Sequence, residues 1–378
     1  MKKITLLVVM ALMTLTANAA DQMHPIITST PSQIITPDAR AGGMGDVGAA
    51  SEPDANSQYW NPAKYVFSDK SAGISLNYTP WMKKIVDDIN LLYLAGYYKI
   101  GDMQSVSASL RYFSLGDVTV TDASGNEQGN TSPYEMSFDV AYARKLSQNW
   151  SAAVALRYIR VDFGQVETMY PGNAFAADVA TSYMRPIDLG SRDARLSFGL
   201  NLSNIGTKIS YDEGNTNYYL PANMRLGAGF TYPIDDYNKV SIYVDANKLM
   251  VPSTYYSYAD SLGNASVNIA GSKADDSVIS SIFKSFSDGS LSEELKEIAF
   301  AGGLEYSYNN QFFVRTGYFY ENEEKGNRKF WTFGAGFKLT MMAFDVSYSL
   351  ASQTNPLDQT LRFSLSFDID GMRNFLNN

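Results

Sequence analysis

The chain of 378 residues has no cysteine and a single histidine, His24. Without cysteine there is no disulfide framework and no thiolate metal site or nucleophile. With one imidazole, close to the N-terminus, no histidine is available to activate a serine elsewhere in the chain. A histidine-activated serine phospholipase on a barrel wall is thereby excluded; a lysine- or carboxylate-based mechanism stays open, although nothing points to one. Long apolar runs are also missing. Beyond Ile4–Leu15 no stretch of about 18 apolar residues occurs, which excludes a transmembrane helix. Positive charge is scarce too: 30 Lys and Arg face 39 Asp and Glu, a net charge of −9, so nucleic acid is not an expected partner.

What is present begins with a targeting signal. Lys2 and Lys3 precede the apolar run, and Ala17-Asn18-Ala19 follows it as a small-x-small site. This predicts a secretory signal peptide over 1–19. The remainder is aromatic, with 26 Tyr and 20 Phe, a composition suited to strands and membrane interfaces.

From residue 70 onward the dominant period is two. "TLRFSLSFDI" sets Leu361, Phe363, Leu365, Phe367 and Ile369 against Arg362, Ser364, Ser366 and Asp368, and "FDVSYSL" and "VSIYVDAN" alternate likewise. Alternation alone also fits a soluble sandwich; length and turn rhythm decide. Fourteen segments are predicted near 70–79, 90–99, 103–115, 134–146, 149–162, 173–185, 192–206, 222–232, 238–249, 298–308, 311–321, 329–340, 342–352 and 359–369. Most are long enough to cross a bilayer at a tilt, whereas soluble strands usually stop at about five or six residues. Short turns at 100–102, 147–149, 233–237, 309–311 and 340–341 alternate with long connections at 116–133, 163–172, 207–221 and 250–297. The expected fold is all-β: a 14-stranded antiparallel transmembrane β-barrel over 70–369, with a tail at 370–378. An even strand count places both termini at the periplasmic side.

The stretch "GGMGDVG" holds Gly43-x-Gly45-x-x-Gly48, with Asp69 about where a ribose-binding acid would stand. A dinucleotide fingerprint needs a buried strand before it and a long helix after it. Here Pro31 and Pro37 precede, and Pro53 and Pro62 follow, so that context is missing. Residues 20–69 are instead predicted to be a hatch folded up into the barrel lumen, its glycines allowing close approach to the wall. Tyr59, Trp60 and "NPAKYVF" argue against a disordered arm.

The run "PDARAGGMGDVGAASEPDANSQYWNPAKY" resembles the N-terminal plug of the FadL-like outer-membrane superfamily, and within it the PorV branch of the type IX secretion system. The resemblance implies a non-enzymatic outer-membrane protein of a Gram-negative bacterium, with no cofactor. It implies binding to the C-terminal domain of secreted cargo, docking beside a very large translocon barrel, and delivery to a surface attachment complex. It also implies a gating role for Gly42, Gly43, Gly45, Asn61 and Pro62. Barrel and hatch alone fit a second reading, a FadL-type channel for hydrophobic small molecules.

The longest connection, 250–297, carries Val278, Ile279, Ile282, Phe283 and Phe286 at helical spacing, and Ser290 and Glu293 at capping-box spacing. The apolar stripe is expected to be either a lid on the barrel's own mouth or a partner-binding surface. Trp81 and Met82, beside Lys83 and Lys84, are expected to anchor at the lipid interface or to dock another barrel. Glu321, Glu323 and Glu324 could attract cations that bridge lipopolysaccharide, but they lack an ordered ligand geometry, and no metal site is predicted.

Overall fold

The computed structural model describes residues 25–83, 86–121, 124–164, 169–190, 192–253, 277–351 and 359–371. The expected signal peptide lies outside them. Sixteen strands form among the described residues: β1 (Ala72–Pro80), β2 (Asn90–Ile100), β3 (Gln104–Ser114), β4 (Val118–Thr121), β5 (Glu127–Thr131), β6 (Tyr134–Lys145), β7 (Trp150–Asp162) and β8 (Gly172–Asp188), then β9 (Asp193–Gly206), β10 (Asn223–Pro233), β11 (Asn238–Leu249), β12 (Ile298–Tyr308), β13 (Phe312–Tyr320), β14 (Lys329–Lys338), β15 (Met342–Ala351) and β16 (Leu361–Asp368). Fourteen of them close into one antiparallel barrel, sealed by β1 against β16 with Leu76 opposite Leu365. β4 and β5 form a separate hairpin beyond the barrel end, which the sequence pattern did not reveal.

The period of two becomes two faces. On β16, Arg362 and Ser364 are buried towards the lumen, while Leu361, Phe363 and Leu365 face outward. The outward face runs across strands as a continuous apolar row, Leu76–Leu365–Phe344–Phe337–Phe312, each residue registered with the next. Aromatic pairs mark both rims. Phe312 and Phe337 lie 4.9 Å apart near the short turns, and Tyr318 and Trp331 lie 4.8 Å apart near the long loops. Such girdles flank the apolar band of a membrane barrel.

Residues 25–71 run through the lumen. Their short elements are a 3-10 turn at Pro31–Ile34, α1 (Ala39–Gly42), α2 (Ser57–Trp60) and a 3-10 helix at Pro62–Phe67. The hatch is therefore ordered by the wall rather than by long helices of its own. Its direction is informative. Ser29 donates its N–H to Tyr219 O in a long connection (2.9 Å), whereas Ser71 accepts at its carbonyl from Lys99 N at the opposite, short-turn end (2.7 Å). An even strand count fixes only where β1 begins and β16 ends. The first described hatch residues lie at the long-loop end, and the N-terminus itself lies outside the described residues.

Candidate functional site

The hatch seats on glycines of the wall. A Cβ on Gly43 would lie 2.9 Å from Gly334 Cα, and a Cβ on Gly317 would lie 2.1 Å from the Met44 carbonyl carbon. Gly45 has φ +73°, and a side chain there would strike Tyr318 and Gly302 backbone at 2.7–2.8 Å. Here glycine permits both the backbone angle and the contact. Gly42 differs, because the nearest obstacle to its Cβ is the flexible Arg362 side chain. The amides of this turn are bound as tightly as its carbons: Gly45 N–H donates to Thr332 Oγ1 (2.7 Å), and those of Gly48 and Ala49 donate to Asp245 (2.8 and 3.0 Å). These donors are satisfied by the barrel wall instead of a phosphate.

Asn61 and Pro62 have complementary local roles. Asn61 accepts from Ala63 N (3.1 Å) and caps the 3-10 helix that Pro62 begins. Its amide then donates to Ala49 O and to Thr181 O of β8 (3.1 and 2.9 Å), joining two parts of the hatch to the wall. Trp60 is buried under the glycine turn and donates its indole N–H to Asp38 (2.6 Å), which also caps α1 through Ala41 N. Charges complete the seat. Arg40 bridges Asp54 and Glu305, and Arg315 links Glu305 to Asp345. Arg157 lies between Asp139 and Asp178. Apart from the half-buried Arg40–Asp54 pair, these ion pairs are buried with their partners in place, the condition under which buried charge is tolerated. Composition revealed none of this pairing, since the partners are separated by up to 265 residues.

The space left in the lumen is uneven. A vestibule of about 760 Å³ opens at the short-turn end, lined by Arg40, Glu52, Asp54, Lys239, Arg315 and Asp345 among others. Higher up, two cavities between hatch and wall measure about 70 and about 10 Å³.

At the long-loop end the expected apolar stripe splits between two faces. Two short helices form, α3 (Val278–Lys284) and α4 (Leu291–Lys296), capped by Ser277 and Ser290. Ile282 packs on Ala222, Met250 and Val251 at the barrel mouth, with Ser281 and Ser285 buried beside it and Val278 partly covered. Ile279, Phe283 and Phe286 stay 66%, 73% and 42% exposed. The lid is thus formed by one aliphatic residue and two serines, and the aromatics point to solvent. Of the capping box only half exists: Ser290 Oγ accepts from Glu293 N (3.3 Å), while the Glu293 carboxylate pairs with Lys296 (2.9 Å). Trp81 and Met82 are half-buried in the first external turn, where Trp81 N–H donates to Ile89 O (2.9 Å).

The external acids are mostly paired. Glu321 holds Arg328, Glu323 holds Lys329, and Glu324 holds Lys296, at 2.6–2.7 Å. These acids, weighed above as a weak attraction for bridging cations, are paired with the chain's own bases. A tighter group, Asp288, Glu294 and Glu297, gathers beneath α4, but Lys248 reaches both glutamates and Lys325 reaches Glu297. Partial burial, together with Glu294 and Glu297, pushes the Asp288 carboxyl up to about 6, against the lowering effect of the Ser253 N–H it accepts.

A closed barrel with an apolar outer band, aromatic girdles and a lumen filled by its own N-terminal segment defines a hatch-plugged outer-membrane β-barrel. The family described as "Type IX secretion system protein PorV" matches residues 18–256, more than half of the chain, and the chain belongs to that family. It is a type IX secretion component of the outer membrane. No curated protein matches it in sequence. Among solved structures it is similar to the TodX deltaS2S3 mutant monoaromatic hydrocarbon channel, with a TM-score of 0.51 at 11% identity over 87% of this chain and 98% of that one. The Pseudomonas putida toluene transporter TodX gives 0.48 at 11% over 92% and 98%, and a Pseudomonas aeruginosa FadL homologue gives 0.47 at 11% over 91% and 99%. These likenesses concern the fold alone.

Proposed function

We propose that this protein receives secreted cargo by its C-terminal domain, docks beside the large translocon barrel, and passes the cargo to the surface attachment complex. The short turns and Asp370 then face the periplasm, and α3, α4 and the β4–β5 hairpin face outward towards partners and lipopolysaccharide. One observation carries the reading: the lumen is filled by a hydrogen-bonded hatch, while apolar side chains stand exposed on the α3 helix of the longest loop. A protein whose interior is sealed and whose outer loops present Ile279 and Phe283 is built to work by surface contact. Trp81 and Met82 supply a second, smaller outer surface.

A channel for hydrophobic small molecules has less support. The vestibule that such a solute would cross has a mixed lining, with Arg40, Glu52, Asp54, Lys239, Arg315 and Asp345 beside Phe67, Phe313, Phe337 and Met342, whereas sites for apolar ligands are mostly apolar. The test is affinity capture of the tagged full-length chain from native membranes. Recovery of a very large barrel and of exported proteins sharing a C-terminal domain supports the proposal. Recovery of lipophilic solute without either protein class overturns it.

A further inference from the structure

The outer helix and the start of the hatch meet on one residue. Tyr219 accepts the Ser29 N–H at its backbone carbonyl (2.9 Å), while its hydroxyl shares a 2.7 Å hydrogen bond with Ser281 Oγ of α3. The same junction is packed on both sides. Ile26 of the hatch and Ile282 of α3 lie against one apolar cluster, Ala222, Met250 and Val251, whose two segments are joined by Met250 N–H to Ala222 O (2.7 Å). Ser29 Oγ bonds Tyr211 in the same connection. The strap at 25–37 is therefore suspended from the external loops.

Below this junction the strap is the less secured half of the hatch. Wall contacts reach it through Arg111 to Ser32 O and Ile35 O, Glu135 to Ser32 N, and Ser137 to Gln33. Thr30 holds the left-handed backbone at φ +48°, unusual for a β-branched residue, and Thr30 Oγ1 and Gln33 Nε2 are buried without a partner among the described residues. The half beyond residue 38 carries the Arg40 ion pairs, the Asp245-bound turn and the Asn61 clamp. A strap strained at Thr30 hangs from an external loop, and the half of the hatch with the ion pairs lies beneath it.

We propose that α3 is a lever on the outer half of the hatch. A protein that engages Ile279 and Phe283 displaces α3, and Tyr219 transmits the displacement to residues 25–37 while 38–66 stays seated. This rests on the reading of α3 as a partner-binding helix and adds what binding does inside the barrel. Coupling of this kind is reciprocal, so the strap must equally hold α3.

The experiment is hydrogen–deuterium exchange with mass spectrometry on the full chain in lipid nanodiscs, without partner. Tyr219→Phe and Ser281→Ala each remove the bridging hydrogen bond and leave the packing. The expected result is about tenfold faster exchange in peptides spanning 26–36, with 57–66 unchanged. Ile26→Ser should reciprocally speed exchange over 278–286, and the outward Phe283→Ser should change neither. Unchanged strap exchange in both bridge variants overturns the lever. So does faster exchange spread evenly over hatch and strands, which marks general loosening. Because no partner is added, failure here leaves the secretion reading standing, and failure of the capture experiment leaves these exchange rates unaffected.

Discussion

Gly43 and Gly334 meet backbone to backbone: a Cβ on either would fall 2.9–3.0 Å from the other's Cα. The contact fixes the hatch against β14, and neighbouring Gly45 turns away through φ +73°. Replacing Gly43 and Gly45 together with valine should unseat the glycine turn, at a cost of about 1–3 kcal/mol for the left-handed backbone alone. Gly334→Val, made from the wall side, should give the same phenotype. Heat-modifiable migration should persist, because strand pairing does not use the hatch. Protease cleavage within 38–67 and antibiotic leakage should rise. A hatch as protected as the parent's in both variants would refute a structural role for this contact in gating.

Leu365 lies outward between Leu76 and Phe344 in the apolar row. Leu365→Arg should reduce the folding free energy in bilayers by roughly 2–4 kcal/mol. The adjacent Ser364 faces the lumen, where it accepts from Ala39 N at 2.7 Å and bonds Asn77. Lumenal substitutions on the last strand are expected from pattern alone to be mild, but Ser364→Ala loses two buried contacts and should release α1 by about 1 kcal/mol per hydrogen bond. Urea titration of the refolded variants separates the two. Equal stability of parent and Leu365→Arg would reverse the assignment of faces.

The barrel was legible because lipid outside and a polar hatch inside impose strict alternation, and "TLRFSLSFDI" and "FDVSYSL" carry it without interruption. Other features were not legible, for stated physical reasons. The β4–β5 hairpin stands free of the membrane and needs no apolar face; its exposed residues are mostly polar. The course of the hatch from long-loop end to short-turn end depends on pairs such as Ser29 with Tyr219, nearly two hundred positions apart, which no local pattern encodes. The stripe Val278–Phe286 was visible as a helix, yet helical spacing does not say which face turns inward. Two buried serines, Ser281 and Ser285, decide it. The resemblance in Ala39–Lys64 located the hatch, and the glycines of its wall, at 303, 317 and 334, gave no separate signal.

Asp288 supplies a pH dependence in the outer loop. Its carboxyl is raised from the usual 3.8 to about 6, so the folded loop binds a proton more tightly than the unfolded segment does. The loop should gain stability as pH falls through about 6 towards 3.8, and should have lost that contribution above about 6. Limited proteolysis between residues 277 and 297 should accordingly slow on moving from neutral pH to about 5. Asp288→Asn should flatten the profile and hold the slower rate throughout. A parent loop that is cut faster at the lower pH would contradict the assignment.

Phe283 and Ile282 are neighbours in sequence with opposite tasks, and that allows the surface reading to be separated from folding. Phe283 is 73% exposed, so Phe283→Ser with Ile279→Ser should leave barrel migration and loop proteolysis at parental values. Each side chain contributes roughly 1.5–3 kcal/mol if a partner buries it fully, so losing one should weaken capture about ten- to a hundredfold. Ile282→Ser should instead loosen the loop, because it removes the aliphatic contact with Met250 and Val251. Its effect on capture should come with faster proteolysis, which the outward pair should not show. In cells the outward pair should leave cargo in the periplasm or on the translocon, read by surface proteomics against total cargo. If Phe283→Ser with Ile279→Ser restores neither phenotype to notice, giving parental capture and parental display, then α3 is a lid only and the partner surface lies elsewhere on the outer face.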